Sequence, residues 1–415
     1  MRNPILVAEA VKLVMEHAKS IGTEKIPLEH AYGRILAEPI VAKHDIPPFD
    51  RSPYDGFAIR AQDTAGAAGD NRIPFEVIGE IGAGHVANRG IGKGEAYRIM
   101  TGALIPENAD AVVMLEQTVE QQDAFTLRKS FAFGENISVQ GEDAKGGERL
   151  IEEGEFIHPG TIALLATFGY AEVEVAKCPV VGILSTGTEL LRVDDDLVPG
   201  KIRNSNGPMI EAQLIRMGID YKSYGMQEDD LDACTRTVEQ ALKETDVLIT
   251  TGGVSVGDYD HLPAIYERLG AKVLFNKVAM RPGSVTTVAV LGNNMLFGLS
   301  GNPSACFTGF ELFTRPAILQ MMKARKPYMP RMKAVLGEDF TKPNPFTRFI
   351  RAFWEMTEEG PVAVPAGFNK SNAISSIARG NCIIVLPSGT RGFTKGMEVD
   401  ILLLGAEQGV RDWVL

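Results

Sequence analysis

The hydrophobic pattern changes its period several times along the chain, and each change marks a boundary. Near the start, Val7, Val11, Val14, Met15 and Ala18 recur at helical spacing, with Asn3 placed as a cap and Pro4 in the first turn. After the Pro-Pro pair at 47–48 the pattern becomes short apolar runs, FEVIGEI, EAYRIM and DAVVMLEQTVE, separated by glycine, asparagine and proline. No long helical stretch interrupts them, so residues 45–140 are predicted to form a β-rich domain. GTIALLATFGY, 160–170, reads as a short helix. A helix returning there to pack beside the first would make residues 1–44 and 141–177 one discontinuous linking domain.

From residue 178 to 327 strands and helices alternate. PVVGILST, IDYKSYG and DVLITT read as strands, each followed by a helical pattern, SNGPMIEAQLIRMG, DDLDACTRTVEQALKE and YDHLPAIYERLG. Such alternation argues a doubly wound parallel sheet with helices on both faces. SVTTVAVLGNNMLFGLSG inserts a hairpin with a Gly-Asn-Asn turn, and NPSACFTGFELFTRPAILQMM closes the domain as a helix. Beyond the proline-containing KARKPYMP, residues 328–415 carry five strand-like runs, RMKAVLG, RFIRAFWEM, PVAVPA, NCIIVLP and EVDILLL. These suggest a small β barrel or sandwich. The fold class is therefore multidomain, α/β plus β.

Composition narrows the function. A chain of 415 residues is too long for one core and suits three or four structural units. A formal net charge of −11 argues against general nucleic-acid binding, yet leaves room for a small anion in a local basic pocket. No apolar run is long enough to span a membrane, and the N-terminus lacks a secretory pattern. Cys178, Cys234, Cys306 and Cys382 lack metal-finger spacing, so free thiols in a reducing cytoplasm are expected.

Ligands of doubly wound sheets bind at the carboxyl ends of the strands, and several polar clusters fall there. TTGGVSVGDYDHL, 250–262, combines Gly252 and Gly253, whose bare backbone suits a phosphate, with Asp258 and Asp260, which repel one. A magnesium ion between them reconciles the two halves, because it bridges phosphate and carboxylate oxygens. The plainer reading is a Gly-Gly turn with an acidic helix cap, and spacing alone does not separate Asp258 from Asp260. Glu189 in STGTEL reads equally as a cap, and Asn204 and Asn206 as turn residues or as base or ribose contacts. Lys277 and Arg281 in NKVAMRPG form either a solvated basic edge or a holder for an oxyanion. Asp55-Gly56 in SPYDGFAI is an ordinary hairpin turn signal; Thr101 and Asp143 also read as turn residues. Arg348 and Arg351 cannot share a face of a regular strand, and Arg351 is favoured as the inward one.

Taken in order, SPYDGFA, RIMTGALIP, GED, STGTEL, TTGGVSVGDYD, RPG, GLSGNPSA and NCIIVLP resemble the molybdopterin molybdenumtransferase family, called MoeA in bacteria and the gephyrin E domain in animals. The resemblance spans nearly the whole chain. It implies a cytoplasmic homodimer whose third domain is of the molybdopterin-binding type. It also implies an enzyme that takes adenylylated molybdopterin and molybdate. With magnesium or another divalent cation, such an enzyme cleaves the adenylyl phosphate bond, releases AMP and places molybdenum on the dithiolene sulfurs. Transient contacts with molybdopterin adenylyltransferase and with recipient molybdoenzymes would accompany that role.

The family's acidic positions fall on Asp55, Asp143, Glu189, Asp229 and Asp260, its basic pair on Lys277 and Arg281. Asp229 and Asp260 are the implied metal ligands. Implied substrate contacts are Thr101, Gly187, Asn206, Gly252, Gly253, Ser255, Gly283, Asn302, Ser304, Arg351 and Ser376. In the family's dimer, Asp55, Thr101 and Asp143 serve the partner's third domain. Three departures stand out. Arg281 replaces a common lysine, GLSGNP replaces GLPGNP, and NPSAC displaces the loop serine by one position, to Ser304. Two alternatives remain: molybdopterin adenylyltransferase, whose single domain resembles residues 178–327, and a non-catalytic scaffold of the gephyrin type.

Overall fold

The computed structural model describes residues 3–228, 230–252, 262–406 and 409–413. The chain divides into two compact units, residues 39–151 and residues 1–38 with 152–415.

The smaller unit is built on a six-stranded sheet. Its order is Ala111–Met114, Gly56–Ile59, Glu95–Ile99, Ile73–Ile81, Ala124–Leu127 and Val119–Gln121. Strand alternation serves both faces. Phe57, Ile59, Val113 and Phe125 enter one apolar cluster, while Ala58, Tyr97, Ile99 and Val112 enter the other. Phe57 and Phe125 stack with ring centroids 4.0 Å apart. The Asp55-Gly56 turn signal is overridden, because Gly56 opens the strand between two neighbours. A Cβ built on Gly56 would stand 1.9 Å from the Val113 carbonyl oxygen, so glycine lets the strands approach here.

In the larger unit the first helix begins later than Asn3 and Pro4 suggest, at Val7, and runs to His17. Ile5 is instead held as extended chain: its N–H donates to the Lys277 carbonyl at 3.1 Å, and its carbonyl accepts from Ala279 N at 2.7 Å. Val7, Ala10, Val11 and Val14 are buried, with Ala18 just beyond the helix. This helix packs on the closing helical stretch Phe310–Met321, whereas helix Pro159–Thr167 packs on the Leu28–His30 turn. The two segments that carry these helices are joined by a strand pairing. Thr23–Pro27 joins Glu172–Ala176 antiparallel and draws the chain back together.

The central sheet has the order Tyr221–Gln227, Val181–Thr186, Val247–Thr251, Asn294–Leu299, Thr287–Leu291 and Lys272–Phe275. The first four strands are parallel, and the hairpin Thr287–Leu299 adds the antiparallel part. Val181–Thr186 and Val247–Thr251 are buried at every position, which explains their unbroken apolar character. Helices Asn206–Arg216 and Pro303–Met321 cover one face; Leu231–Glu244 and Leu262–Arg268 cover the other. Asp230 caps the Leu231–Glu244 helix by accepting from Ala233 N at 2.6 Å.

The five C-terminal runs close into a barrel. Thr347–Thr357 pairs with Gly360–Pro365, and that strand with Arg331–Leu336. Glu398–Leu403 and Cys382–Leu386 follow, and Cys382–Leu386 returns to Thr347–Thr357. Its core is Leu336, Ile350, Ile384, Leu386 and Ile401 with smaller residues. The short strand Met280–Arg281 pairs parallel with Thr347–Arg348, stitching the barrel to the central sheet. The four cysteines are free thiols, and no helix among the described residues is long and apolar enough to cross a membrane.

Gly56→Ala is expected to destabilise the smaller unit by about 3 kcal/mol, as overpacking against backbone does. Native-state hydrogen exchange at Phe57 and Val113 would read this directly. A change below about 0.5 kcal/mol would show that the two strands separate freely.

Candidate functional site

The strand order of the central sheet reverses between Val181–Thr186 and Val247–Thr251. The chain leaves the first toward Tyr221–Gln227 and continues from the second toward Asn294–Leu299, so the loops beyond them part and leave a crevice. At its floor three loop backbones touch. Gly252 has φ +87°, and a Cβ there would stand 2.2 Å from the Thr186 carbonyl oxygen. Its N–H donates to the Leu299 carbonyl at 3.3 Å. A Cβ on Gly301 would meet Gly252 Cα at 3.6 Å.

Polar side chains line this junction. Thr251 Oγ1 donates to Ser185 Oγ at 3.2 Å, and Asn204 Nδ2 donates to the same oxygen at 2.9 Å. Asn206, read as a turn or nucleoside-contact residue, is the first residue of its helix and only 6% exposed. Its Nδ2 donates to the Gly301 carbonyl at 2.9 Å, while its buried Oδ1 has no partner among the described residues. An orphaned acceptor at a crevice calls for a donor from a ligand. Glu189 is exposed, and its carboxylate folds over Gly187, where a Cβ would lie 2.5 Å from Oε2. Asp229, Gly253, Ser255, Asp258 and Asp260 lie outside the described residues. Among the described residues no group of three His, Cys, Asp or Glu side chains is placed to hold a metal.

The cations stand where the central sheet meets the barrel. Lys277 is half-buried and Arg281 exposed. The parallel pairing sets Arg281 opposite Arg348, a neighbour that sequence could not assign because the register links positions 67 residues apart. Arg348 donates from Nε to Asn344 Oδ1 at 2.8 Å and lies over the Phe340 ring at 5.1 Å. Partial burial, then the Arg281 charge, lowers its pKa from the ordinary guanidinium value. Neither arginine forms an ion pair among the described residues. Gly283, at φ +87°, shapes the turn beyond, where its carbonyl accepts from Thr286 Oγ1 at 2.8 Å.

Arg351 and Ser376 are brought together, as the sequence suggested, but inside the protein. Arg351 is 1% exposed and donates to Ser376 Oγ at 3.2 Å and to the Lys370 carbonyl at 3.1 Å. Burial pushes its pKa down to about 10. Ser304 is also fully buried. Its hydroxyl donates to the Ala373 carbonyl at 2.5 Å and its N–H to Ser371 at 3.0 Å, fastening the closing helix to that loop. Asn302, just before the helix, is exposed and donates its N–H to Ser300 Oγ at 3.2 Å.

In the smaller unit, Thr101 donates from its N–H and its hydroxyl to Asp55 Oδ1, at 2.7 and 2.9 Å. Those bonds, the backbone one first, hold the exposed Asp55 carboxyl below the usual carboxylate range. The loop bearing Asp143 joins this neighbourhood through backbone bonds. Arg51 and Ser138 exchange a pair at 3.0 Å each, and Asp143 N donates to the Ile46 carbonyl at 2.9 Å. Ser52 bonds both Gly102 and Ala103, so the segments carrying Asp55, Thr101 and Asp143 are laced into one edge of the unit.

This geometry can be set beside known proteins. Three family models match in order: MoeA N-terminal region (domain I and II) over residues 5–169, probable molybdopterin binding domain over 182–320, and MoeA C-terminal region (domain IV) over 333–404. A molybdopterin molybdenumtransferase of Staphylococcus aureus is 55% identical over 100% of this chain and 99% of the relative. One of Staphylococcus epidermidis is 55% identical over 97% and 96%. The crystal structure of a molybdopterin biosynthesis MoeA protein from Pyrococcus horikoshii OT3 superposes with TM-score 0.85 at 32% identity, covering 97% of this chain and 100% of that one. Order of elements, full-length identity and shared architecture agree, and this chain belongs to the MoeA family.

Proposed function

We propose that this protein is a molybdopterin molybdenumtransferase that completes the molybdenum cofactor. It takes adenylylated molybdopterin and molybdate, and releases AMP. The observation that carries the reading is the pairing of Arg281 with Arg348 in neighbouring strands, neither of them in an ion pair among the described residues. Two like charges so placed repel each other, and an oxyanion between them removes the repulsion. Lys277 adds a third cation. The nucleotide portion would lie over the junction of Gly252, Gly301 and Asn206, where the orphaned Asn206 Oδ1 accepts from a base or ribose donor.

Asp229 and Asp260 would hold magnesium through hard carboxylate oxygens, and the ion would supply positive charge to the adenylyl phosphate. Water adds to phosphorus, the phosphoanhydride P–O bond breaks, and AMP leaves with the new oxygen or leaves it on the pterin phosphate. Glu189, over Gly187, is placed to orient polar groups at the rim, and Gly253 and Ser255 would complete the phosphate cradle. In a homodimer, Asp55, Thr101 and Asp143 would serve the second copy's crevice. The smaller unit keeps Asp55 ionised for that contact. Arg351 and Ser376, bonded to each other inside the last domain, would support the site from behind, and Ser304 and Asn302 stand at the start of the closing helix. Free thiols suit a reducing cytoplasm.

The test is AMP release from adenylylated molybdopterin supplied with molybdate and magnesium. Adenylylation of free molybdopterin from ATP would instead favour the adenylyltransferase, and tight binding of a protein partner without turnover would favour a scaffold. Full activity in Asp260→Ala would remove that residue from the metal site. Arg348→Ala is expected to raise the KM for molybdate about tenfold, the loss of one charge-assisted contact, with little change in melting temperature. Arg351→Met should lower the melting temperature by several degrees, because it strands Ser376 and the Lys370 carbonyl inside the protein.

Thr101→Val should move the Asp55 titration, followed by carboxyl carbon NMR, up toward that of an ordinary aspartate. The folded pKa is depressed, so the stabilisation this pair contributes is present above the unfolded pKa. It is lost as pH falls through the folded pKa. An unchanged titration would mean that the Thr101 hydroxyl does not hold the carboxylate and that the backbone N–H acts alone.

A further inference from the structure

A second cavity lies far from the crevice. Helix Asn206–Arg216 starts at the crevice and ends about 16 Å away by its rise. Around that far end, a cavity of about 490 Å³ is bounded by Phe156, Met217, Leu319, Met322 and Met329, with Arg315 among its polar lining. That volume falls within the range of small-molecule sites.

The charges in its wall do not cancel. Glu311 is 2% exposed and is taken by Arg216 and by Gln213 Nε2, the latter at 2.8 Å. Lys326 pairs with Glu155 at 3.4 Å, and Arg34 with Glu24 at 2.6 Å. Arg315 is left over. It is 8% exposed, and its one hydrogen bond among the described residues runs from a terminal nitrogen to the Pro327 carbonyl at 3.3 Å. No carboxylate among the described residues lies within ion-pair distance of it. Burying a guanidinium is costly: burial lowers its pKa, the Glu311 charge opposes that shift, and Arg216, which already engages Glu311, adds to it. Arg34, in the same wall, keeps a buried Nε with no partner among the described residues. Arg315 follows directly on the π-helical turn Phe310–Thr314, a distortion that recurs at functional sites.

We propose that this cavity binds a small monocarboxylate with an apolar body. Among the described residues the wall holds one cation more than its carboxylates engage, which matches a monoanion, and the guanidinium fork matches a carboxylate with two parallel bonds. A dianionic phosphate would bring a second negative charge toward the buried Glu311 with no cation to meet it. Phe156, Leu319, Met322 and Met329 receive an aliphatic or aromatic body. The site is independent of the crevice and of the reaction assigned to it.

The experiment titrates the full-length protein with octanoate by calorimetry, with methyl octanoate and octylammonium as controls. A crystal grown with octanoate accompanies it. Saturable one-to-one binding of octanoate, binding at least tenfold weaker for both controls, and density against Arg315 are expected. Arg315→Met should weaken octanoate at least tenfold while AMP release from adenylylated molybdopterin stays intact. Should that variant fail to fold, Leu319→Trp, which fills the cavity, should abolish binding instead. No saturation, equal binding of the neutral ester, undiminished binding in a folded variant, or side chains of a second copy occupying the cavity would each overturn the proposal.

Discussion

The crevice depends on a backbone approach that only glycine permits. Strands Val181–Thr186 and Val247–Thr251 are buried throughout and fixed by packing on both faces, so their loops start from rigid positions. Where those loops would otherwise be held apart by side chains, Gly252 lets the chain pass against the Thr186 carbonyl. Leu299 accepts the Gly252 N–H, which ties the third loop to the first two. With the backbones locked, Ser185, Thr251, Asn204 and Asn206 have defined places, and so has the buried Asn206 acceptor that no described residue satisfies. A floor made of backbone moves little when a charged substrate arrives, which is what electrostatic stabilisation requires.

Much of this architecture is legible in the chain because its signals are local. Continuous apolar runs such as PVVGILST and DVLITT announce buried parallel strands, and the Gly-Asn-Asn turn announces the hairpin Thr287–Leu299. The five strands of the last domain are likewise evident one at a time. Their closure is not, since the return of Cys382–Leu386 to Thr347–Thr357 is a matter of long-range register. The same limit hides Arg348 as the neighbour of Arg281. Local signals also mislead where tertiary pairing competes with them. Ile5 leaves the helical path to bond Lys277 and Ala279, and Asp55-Gly56 sits at a strand start although the dipeptide favours a hairpin turn.

Within the candidate site, the pattern of legibility follows burial. Gly187 and Gly252, whose φ angles are positive, and Thr101, exposed in a turn, stand out because the backbone constrains them. Residue type alone cannot say that Ser304 spends its hydroxyl on the Ala373 carbonyl, or that Arg351 spends its donors on Ser376 and Lys370. The first decision is made where the closing helix meets the last domain, the second within the last domain itself. A serine or arginine motif therefore identifies a region before it identifies a contact.

Among the described residues, cations without a carboxylate in ion-pair distance stand in two contrasting settings, exposed and enclosed. Arg281 is exposed and Arg348 only partly buried, so water screens their mutual repulsion and either can adjust to a multiply charged oxyanion. Arg315 is enclosed, so its charge is poorly solvated and its partners are fixed. A doubly charged ligand there would exchange one unpaired charge for another of opposite sign, beside Glu311. On the two proposals, desolvation is what would separate a multiply charged oxyanion at the open arginine pair from a single carboxylate at the enclosed one, with the same guanidinium chemistry at both.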